Sequence, residues 1–498
     1  MGDLGPEVST ASGVVRGRRA KELVVFRGIP FAQPPVGALR FAAPQRPSPW
    51  QGVQDATGFG PAPPQSGPLR AAGTTGTEWL TVNVWSPDLG AARLPVLVWI
   101  YGGAYISGSS GDPGYDAALI AREGLVVVTF NYRVGVEGFG QIEGVPANRG
   151  LLDQLAALHW VRQNIAGFGG DPERVTVCGQ SAGAGSIATL LTMPLAVGLF
   201  RRAIAQSVPG MYFTPALAAD IAAVLSARFG VTPTVAGLAA IDPQCLADEV
   251  DLLSSELPAH ADRWGRAAYM GIGFSPVVDG EVVVDVPWRA LAGGRVAGVE
   301  LLTGHTKDEF RLFLALAGRM GKITEQDTAT ALRILSPGAD GGLAYRSGYP
   351  HACAEALYEL VHSDALFRMP ALHLAEAHTA AGGTAFLYEL CWPAPAQGGA
   401  LGACHGLDVP LFFGTFCTPF GRVLLEEQEP SAEALTLAGE IRRAWTAFAA
   451  HGDPGWPVYQ ADQRLTRLLD ASPSTATYPE EASRQIWNGH HLDPFDLL

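Results

Sequence analysis

A Gly-x-Ser-x-Gly motif at residues 179–183 constrains this chain more than any other stretch. The motif follows the apolar, β-branched residues 175–177 and leads into small residues that can begin a helix. A strand that turns this sharply into a helix holds the central serine in a strained conformation at the carboxyl edge of a sheet, and the glycines permit close backbone contacts. The bare motif is also compatible with simple packing, but its context predicts a nucleophile elbow centred on Ser181.

Strand and helix patterns alternate along the chain up to this motif. Residues 96–100 and 126–131 read as continuous apolar strands, and residues 150–165 carry apolar side chains at helical spacing. Right-handed crossovers between such elements imply an α/β fold with a large, mostly parallel sheet flanked by helices. Further elements are predicted as strands at 24–26, 80–85, 282–284, 301–303 and 385–388, an antiparallel N-terminal edge, and a last amphipathic helix at 431–450.

The chain has no internal repeat and no linker-like segment, so we expect a single domain over residues 1–498. Two Ala-rich helical stretches, at about 211–268 and 310–378, are predicted to be insertions over the active site. Residues 61–76, rich in Pro and Gly, are predicted to form a surface loop.

The charge balance argues against nucleic acid as a partner. Asp and Glu number 48 against 34 Lys and Arg, and no basic cluster offsets the net charge of −14. No apolar run is long enough to span a bilayer, and residues 1–7 lack the pattern of a secretory signal. We therefore expect a cytoplasmic protein, although a secreted protein whose signal peptide has been removed would show the same pattern. The sequence leaves the oligomeric state open, and a monomer is favoured.

The six cysteines are scattered along the chain without CxxC or Cys/His ligand spacing. They are Cys178, Cys245, Cys353, Cys391, Cys404 and Cys417. This pattern predicts buried free thiols in a reducing compartment and gives no support for a structural metal site. We also expect no cofactor.

A nucleophilic serine needs a base, and that base needs an acid to orient it. Of the eleven histidines, His405 lies in a small-residue loop at 402–408, shortly after the strand at 385–388. The other histidines considered lie in helical segments or in the C-terminal tail: His351, His362, His373, His378, His490 and His491. Asp308 and Glu309 are both candidate acids after the strand at 301–303, and the pattern does not choose between them.

The oxyanion formed when a serine attacks an ester needs hydrogen-bond donors already aimed at it. The N–H of Ala182, next to the nucleophile, is one candidate. The turn Gly102-Gly103-Ala104, directly after the strand at 96–100, can supply others. The elbow and this turn are far apart in the sequence, yet both have features that attack of a serine on an ester requires.

Ordered motifs over nearly the whole chain resemble the type B carboxylesterase family, which includes bacterial para-nitrobenzyl esterases and, more distantly, the cholinesterases. They are found at residues 26–41, 80–85, 99–105, 131–133, 148–154, 168–172, 179–183, 198–200, 308–309, 402–405 and 448–454. The resemblance implies an α/β-hydrolase fold and a serine carboxylester hydrolase acting through an acyl-enzyme. It implies Ser181, Glu309 and His405 as the triad, and the N–H groups of Gly103, Ala104 and Ala182 as the oxyanion hole.

Departures from the family pattern narrow the expected substrate. Gln180 stands where Glu is common, which predicts weaker attraction for cationic alcohols such as choline and favours small neutral esters with short acyl or aryl groups. Trp79 replaces a cysteine that begins a disulfide loop in many relatives, and Ala104 replaces a glycine. Substrate walls are expected from residues 312–316 and 61–76.

Two other functions remain compatible with the sequence. Some members of the family have lost the serine and serve as binding modules, although Ser181, Glu309 and His405 are all present here. The same triad could also hydrolyse amides, carbamates or polyester oligomers.

Overall fold

The computed structural model describes residues 5–67, 70, 76–91, 93–294, 298–426 and 429–498. Seven residues of the predicted surface loop, 68, 69 and 71–75, lie outside this part of the chain. The strands that it describes are β1 (Glu7–Ser9), β2 (Val14–Arg16), β3 (Arg18–Ala20), β4 (Leu23–Pro30), β5 (Val53–Asp55), β6 (Thr81–Ser86), β7 (Leu94–Ile100), β8 (Val126–Phe130), β9 (Gly170–Gln180), β10 (Arg202–Gln206), β11 (Glu300–Thr306), β12 (Ala385–Leu390), β13 (Leu465–Leu469) and β14 (Ser474–Thr477).

Eleven of the described strands form one mixed sheet in the order β14-β13-β12-β11-β10-β9-β7-β8-β6-β4-β3. The seven neighbours from β13 to β8 are all parallel, whereas β14, β6, β4 and β3 pair antiparallel. Strands β1, β2 and β5 form a separate small sheet. The predicted mostly parallel sheet with an antiparallel N-terminal edge is confirmed.

Helices flank this sheet, and α3, α4, α14 and α17 pack directly on its central strands. The described helices are α1 (Ala118–Arg122), α2 (Gly135–Phe139), α3 (Arg149–Asn164), α4 (Ala182–Leu190), α5 (Pro215–Ala227), α6 (Val235–Leu238), α7 (Pro243–Glu256), α8 (Ala261–Tyr269), α9 (Pro287–Ala292), α10 (Arg311–Leu316), α11 (Glu325–Leu335), α12 (Gly341–Gly348), α13 (Ala354–Ser363), α14 (Met369–Ala380), α15 (Asp408–Phe413), α16 (Pro419–Leu425), α17 (Ala432–His451) and α18 (Glu481–Ile486). Within the described residues, none of these helices is both long and apolar enough to cross a membrane.

The predicted strand at 282–284 is wrong, and a nearby carboxylate explains why. Asp279 Oδ1 accepts hydrogen bonds from the N–H groups of Glu281, Val282 and Val283 at 3.0, 2.9 and 2.9 Å. Those backbone donors are satisfied within a turn and are not offered to a neighbouring strand. The hydrogen bonds to the Asp279 side chain therefore outweigh the tendency of the three β-branched valines to form a strand.

Three more expectations need correction. Strands β1, β5, β10, β13 and β14 were not anticipated, and α18 follows the helix that was expected to be the last. All six cysteines are free as predicted, but only Cys178 and Cys404 are buried. His351 lies in a turn between α12 and α13 and not in a helix.

Candidate active site

The nucleophile elbow lies at the carboxyl end of β9, a central strand that pairs with both β7 and β10. Ser181 has φ 57° and ψ −127°, and α4 begins at the next residue. The Ser181 N–H donates to the carbonyl of Gln206 on β10 at 2.9 Å, which fixes the turn against the sheet. A positive φ in a residue with a side chain costs about 1–3 kcal/mol, so the fold holds Ser181 in a strained conformation.

Two glycines of the elbow lie against the backbone of β7. A Cβ on Gly183 would lie 2.0 Å from the carbonyl oxygen of Ile100, and one on Gly179 would lie 2.6 Å from the same atom. Neither position accepts a side chain unless the strand moves. The close approach keeps the start of α4 next to the turn that follows β7.

Replacing Gly183 by Ala is expected to lower the free energy of unfolding by at least about 2 kcal/mol, because the methyl group overpacks against β7. Gly439→Ala in α17 is the matched control, since a Cβ there meets nothing within 4 Å. That change should stabilise the helix by about 0.5–1 kcal/mol. Urea unfolding of both variants tests this, and equal midpoints would contradict it.

The structure brings Glu309 and His405 together. His405 Nδ1 lies 2.5 Å from Glu309 Oε2, and the other carboxylate oxygen accepts the Thr306 N–H at 2.9 Å. Glu309 is fully buried. Burial alone would raise the pKa of this carboxyl, but the adjacent His405 ring and the Thr306 N–H outweigh it and lower the pKa below its usual value. Glu309 is therefore held as a carboxylate that can orient the ring.

Asp308 points elsewhere and contacts the loop that carries His405. Its Oδ2 accepts the Ala403 N–H at 2.9 Å, and its own N–H donates to the Ala403 carbonyl at 2.8 Å. Its Oδ1 lies 2.9 Å from Arg311 Nη2. The His405 N–H in turn donates to the Glu309 carbonyl at 3.3 Å. The two loops are therefore bonded backbone to backbone, and of the two carboxylates only Glu309 contacts the imidazole.

Two aromatic rings pack against His405, and only one of them belongs to a segment that the sequence analysis singled out. The Phe367 ring stacks on the imidazole with centroids 4.2 Å apart, and the Phe313 ring is tilted at 5.2 Å. Phe313 belongs to the segment 312–316 that was expected to form a substrate wall, whereas its neighbours Leu312 and Leu314 are buried in the core. Phe367 lies in a π-helical turn just before α14, at a position that no local pattern singles out.

The turn after β7 abuts the elbow. A Cβ on Gly102 would lie 2.7 Å from the Gln180 carbonyl oxygen and 3.0 Å from Ser181 Cβ. Gly103 and Ala104 have φ 117° and 52°. The Gly103 carbonyl is bonded to the N–H groups of Ile106 and Ser107 at 3.0 Å each, which closes the turn. Ala182, as the first residue of α4, has an N–H without an acceptor in its own helix.

Glu359 is a buried carboxyl group that contacts the residue after Glu309. Its Oε1 accepts the N–H of Phe310, next to Glu309, at 3.3 Å and also the hydroxyl of Ser363. Burial raises the pKa of Glu359 from 4.5 to about 7. Ionising it costs stability, so the free energy of unfolding should fall as pH rises between these values and stay reduced above them.

Glu359→Gln should remove this pH dependence, because the amide oxygen can still accept both hydrogen bonds without a charge. We expect the variant to gain thermal stability over the parent as pH rises from about 5 to 8. Melting temperatures across that range test this. Glu355→Gln, one turn earlier and only half-buried, is the control and should show no such trend.

Two of the other candidate histidines, His362 and His378, are buried and contact backbone carbonyls. His362 Nδ1 contacts the Tyr358 carbonyl at 2.7 Å, and His378 Nε2 contacts the Val299 carbonyl at 2.9 Å. Burial lowers the pKa of His362 to about 3 and that of His373 to about 4. In the part of the chain that the structure covers, no group of three or more His, Cys, Asp or Glu side chains is arranged to hold a metal ion.

The chain is similar to several known esterases over nearly its whole length. The chain is 34% identical to the para-nitrobenzyl esterase of Bacillus subtilis over 96% of its own length and 97% of that protein. It is 33% identical to the fumonisin B1 esterase of Sphingopyxis macrogoltabida, with 95% and 89% covered, and 31% identical to the acetylcholinesterase of Bungarus fasciatus, with 97% and 86% covered.

Solved structures give the same result for the fold. A para-nitrobenzyl esterase structure superimposes with a TM-score of 0.86 at 34% identity, covering 97% of this chain and 99% of the other. A carboxylesterase of Geobacillus stearothermophilus superimposes with a TM-score of 0.85 at 32% identity, with the same coverage. The fold is therefore that of the α/β hydrolases, as the sequence predicted. The model of the carboxylesterase family matches residues 5–487, and the chain belongs to that family.

Proposed function

We propose that this carboxylesterase, a serine hydrolase of carboxylic esters, works through a triad of Ser181, His405 and Glu309. The observation that carries the assignment is the 2.5 Å contact between His405 Nδ1 and Glu309 Oε2 in a fully buried setting. The strained backbone of Ser181 at the end of a central strand supports it. Each residue has the chemistry that its role requires.

In the first half of the reaction, Ser181 Oγ attacks the ester carbonyl carbon while His405 Nε2 takes the serine proton. Glu309 holds the ring through Nδ1 and stabilises its positive charge. The N–H groups of Gly103, Ala104 and Ala182 stabilise the negative charge that develops on the carbonyl oxygen. The attack forms a tetrahedral intermediate. When it collapses, the bond to the alcohol breaks and the alcohol takes the proton from His405. Water then attacks the acyl-enzyme with His405 as base, and the acid leaves.

The proposed substrates are small neutral esters with short acyl or aryl groups. The aromatic rings of Phe313 and Phe367 beside His405 offer apolar contact area. Gln180 next to the nucleophile is uncharged, so it offers a cationic alcohol no ion pair. The para-nitrobenzyl esterase among the relatives is named for an ester of a neutral alcohol.

Turnover by the purified chain tests the proposal. We expect the chain to hydrolyse p-nitrophenyl acetate and p-nitrophenyl butyrate. A fluorophosphonate probe should label Ser181, and peptide mass spectrometry can locate the labelled residue. A choline ester should be hydrolysed no better than its neutral 3,3-dimethylbutyl isostere. Absence of both turnover and labelling would favour a catalytically silent binding module, and a clear preference for choline would contradict the substrate assignment.

We further propose one domain over residues 1–498, with α5–α8 and α10–α13 as its helical insertions, and a monomeric protein of the cytoplasm. The predicted second insertion, at about 310–378, also reaches into α14, which packs on β11 and β12 and belongs to the layer that flanks the sheet. Six free cysteines, three of them exposed, suit a reducing compartment. Size-exclusion chromatography with light scattering tests the oligomeric state.

A further inference from the structure

The side-chain amide of Gln65 binds both backbone groups of Gly108. Its Oε1 accepts the Gly108 N–H at 2.9 Å, and its Nε2 donates to the Gly108 carbonyl at 2.9 Å. The same nitrogen also donates to the Pro63 carbonyl at 3.0 Å. Gln65 is only 6% exposed, so losing these bonds would leave buried polar groups without their partners. A residue of the predicted surface loop is therefore bonded to the end of the turn that follows β7.

Gly108 packs against the beginning of the same turn, residues 102–108, which we call the oxyanion loop. A Cβ on Gly108 would lie 2.8 Å from the Gly102 carbonyl oxygen and 2.4 Å from the Tyr101 ring. Gly102 in turn lies against the elbow, because its own Cβ would be 3.0 Å from Ser181 Cβ. The two ends of the oxyanion loop therefore touch, and fixing Gly108 restrains the whole loop next to the nucleophile.

The oxyanion loop contains two consecutive strained residues. Ala104 and Tyr105 both carry side chains, and both have positive φ, 52° and 62°. Residues in this left-handed region keep their conformation only where surrounding contacts hold it. Two contacts from outside the loop do so: the Gly135 N–H donates to the Tyr105 carbonyl at 2.7 Å, and Gln65 binds Gly108. Removing one of them would let the loop relax towards an unstrained backbone.

The segment that carries Gln65 is itself held in place. Asn131, directly after β8, donates to the Pro61 carbonyl at 2.9 Å, and its Oδ1 accepts the Ser110 N–H at 2.8 Å. Gln244 of α7 donates to the Gln65 carbonyl at 3.0 Å. Gln65 therefore reaches the oxyanion loop from a support that is bonded both to the end of a sheet strand and to a helical insertion.

We propose that Gln65 is a positioning residue for the oxyanion hole. By holding Gly108, it keeps the oxyanion loop in the strained form that aims the N–H groups of Gly103 and Ala104 at the carbonyl oxygen of the ester. Donors that are already aimed stabilise the developing charge without reorganising during the reaction. Gln65 acts through the backbone and does not touch the substrate. The proposal rests on the proposed function, in which those two N–H groups are oxyanion donors.

Gln65→Met is the first test, because methionine has nearly the length of glutamine but can form neither bond to Gly108. We expect kcat for p-nitrophenyl acetate to be about 10- to 30-fold lower with KM nearly unchanged, since the loss falls on the transition state and not on the bound ester. An aryl trifluoromethyl ketone, to which Ser181 adds to give an oxyanion, should inhibit the variant more weakly by about the same factor. Parental kcat, with only KM or the melting temperature altered, would overturn the proposal.

Gln33→Met is the matched control. The Gln33 Nε2 also donates to a backbone carbonyl, that of Arg46 at 3.1 Å, but this bond is exposed and lies outside the oxyanion loop. We expect kcat to change by less than about twofold. A loss as large as that in Gln65→Met would mean that the effect is not specific to the loop and would overturn the proposal.

The charged groups near Gln65 determine how a carboxyl at this position would titrate. Asp248 Oδ1 accepts from the amide nitrogen that also binds the Gln65 carbonyl. Asp251 and Glu137 line the small cavity beside this segment, and Glu137 pairs with Arg40. Burial and the remaining negative charge would both raise the pKa of a carboxyl placed here.

Gln65→Glu uses this titration to restore the bonds to Gly108. A protonated carboxyl can accept from an N–H and donate to a carbonyl as the amide does, whereas a carboxylate can only accept. The kcat of Gln65→Glu relative to the parent should therefore rise about tenfold as pH falls from about 8 to about 5.5, while the ratio for Gln65→Met stays constant. Taking the ratio cancels the titration of His405, which all three chains share. Parallel profiles of the two variants would overturn the proposal.

Hydrogen exchange gives a measurement that needs no turnover. Peptides that cover residues 102–108, analysed by mass spectrometry, should exchange about tenfold faster in Gln65→Met than in the parent, because the loop opens more often. Equal exchange would overturn the proposal. If the parent chain failed to hydrolyse esters, the proposed function would fail; if the parent hydrolysed them and Gln65→Met matched it, only the role of Gln65 would fail.

Discussion

The Ser181→Ala chain should hydrolyse p-nitrophenyl acetate with a kcat about 10⁵- to 10⁶-fold lower than the parent, because the acyl-enzyme can no longer form. The substitution leaves the fold intact for a specific reason. Alanine carries the same Cβ as serine, so the strained backbone at φ 57° costs the same in both chains. The melting temperature should therefore change little while activity is lost.

Ser186→Ala is the control for this experiment. Ser186 lies in α4, five residues beyond the nucleophile, and its Oγ accepts a hydrogen bond from Gln154 at 3.0 Å. Its loss is expected to reduce kcat/KM by less than about tenfold, because the side chain contacts no proposed triad residue. Retention of more than a hundredth of parental activity in Ser181→Ala would contradict the assignment of the nucleophile.

Replacing Glu309 by Gln should lower kcat by about 10³- to 10⁴-fold. The amide cannot carry the negative charge that stabilises the imidazolium, and its nitrogen can force the ring into the wrong tautomer. The neighbouring Asp308→Asn chain is a matched comparison. It removes a charge one residue away, but the asparagine oxygen can still accept the Ala403 N–H, so we expect a loss of less than about tenfold.

Steady-state kinetics of the two variants at one pH makes the comparison. The two carboxylates are adjacent in the chain and differ in what they contact, Glu309 the ring and Asp308 the loop and Arg311. Equal losses in both variants would mean that the charge of this turn matters and the contact with the ring does not. A larger loss in Asp308→Asn would reverse the proposed roles.

Sequence patterns predicted the parts of the site that depend on local chain geometry. The elbow was recognisable because a buried strand, two glycines and a helix start are consecutive in the chain. The central strand β10 was missed because Arg202–Gln206 begins with a charge and continues with alanine, and it is a strand only through its pairing with β9 and β11.

Local sequence patterns could not decide whether Asp308 or Glu309 is the acid that contacts the histidine. Both lie in the turn before α10, and a difference of one residue decides which side chain points at the imidazole. The resemblance to known carboxylesterases selected Glu309, and only this carboxylate touches His405. The contacts of Phe367 and Gln180 with the ring join positions far apart in the chain, which a pattern confined to one segment does not contain.

The backbone bonds between the Asp308 turn and the Ala403 loop have a consequence for engineering. Residues 306–311 and 400–405 hold each other through Asp308, Ala403, Glu309 and His405, so they form one module although they are far apart in the chain. A chimera that takes one of these loops from a relative and keeps the other from this chain would separate partners that fit each other. Loop grafting intended to change specificity should therefore exchange both segments together.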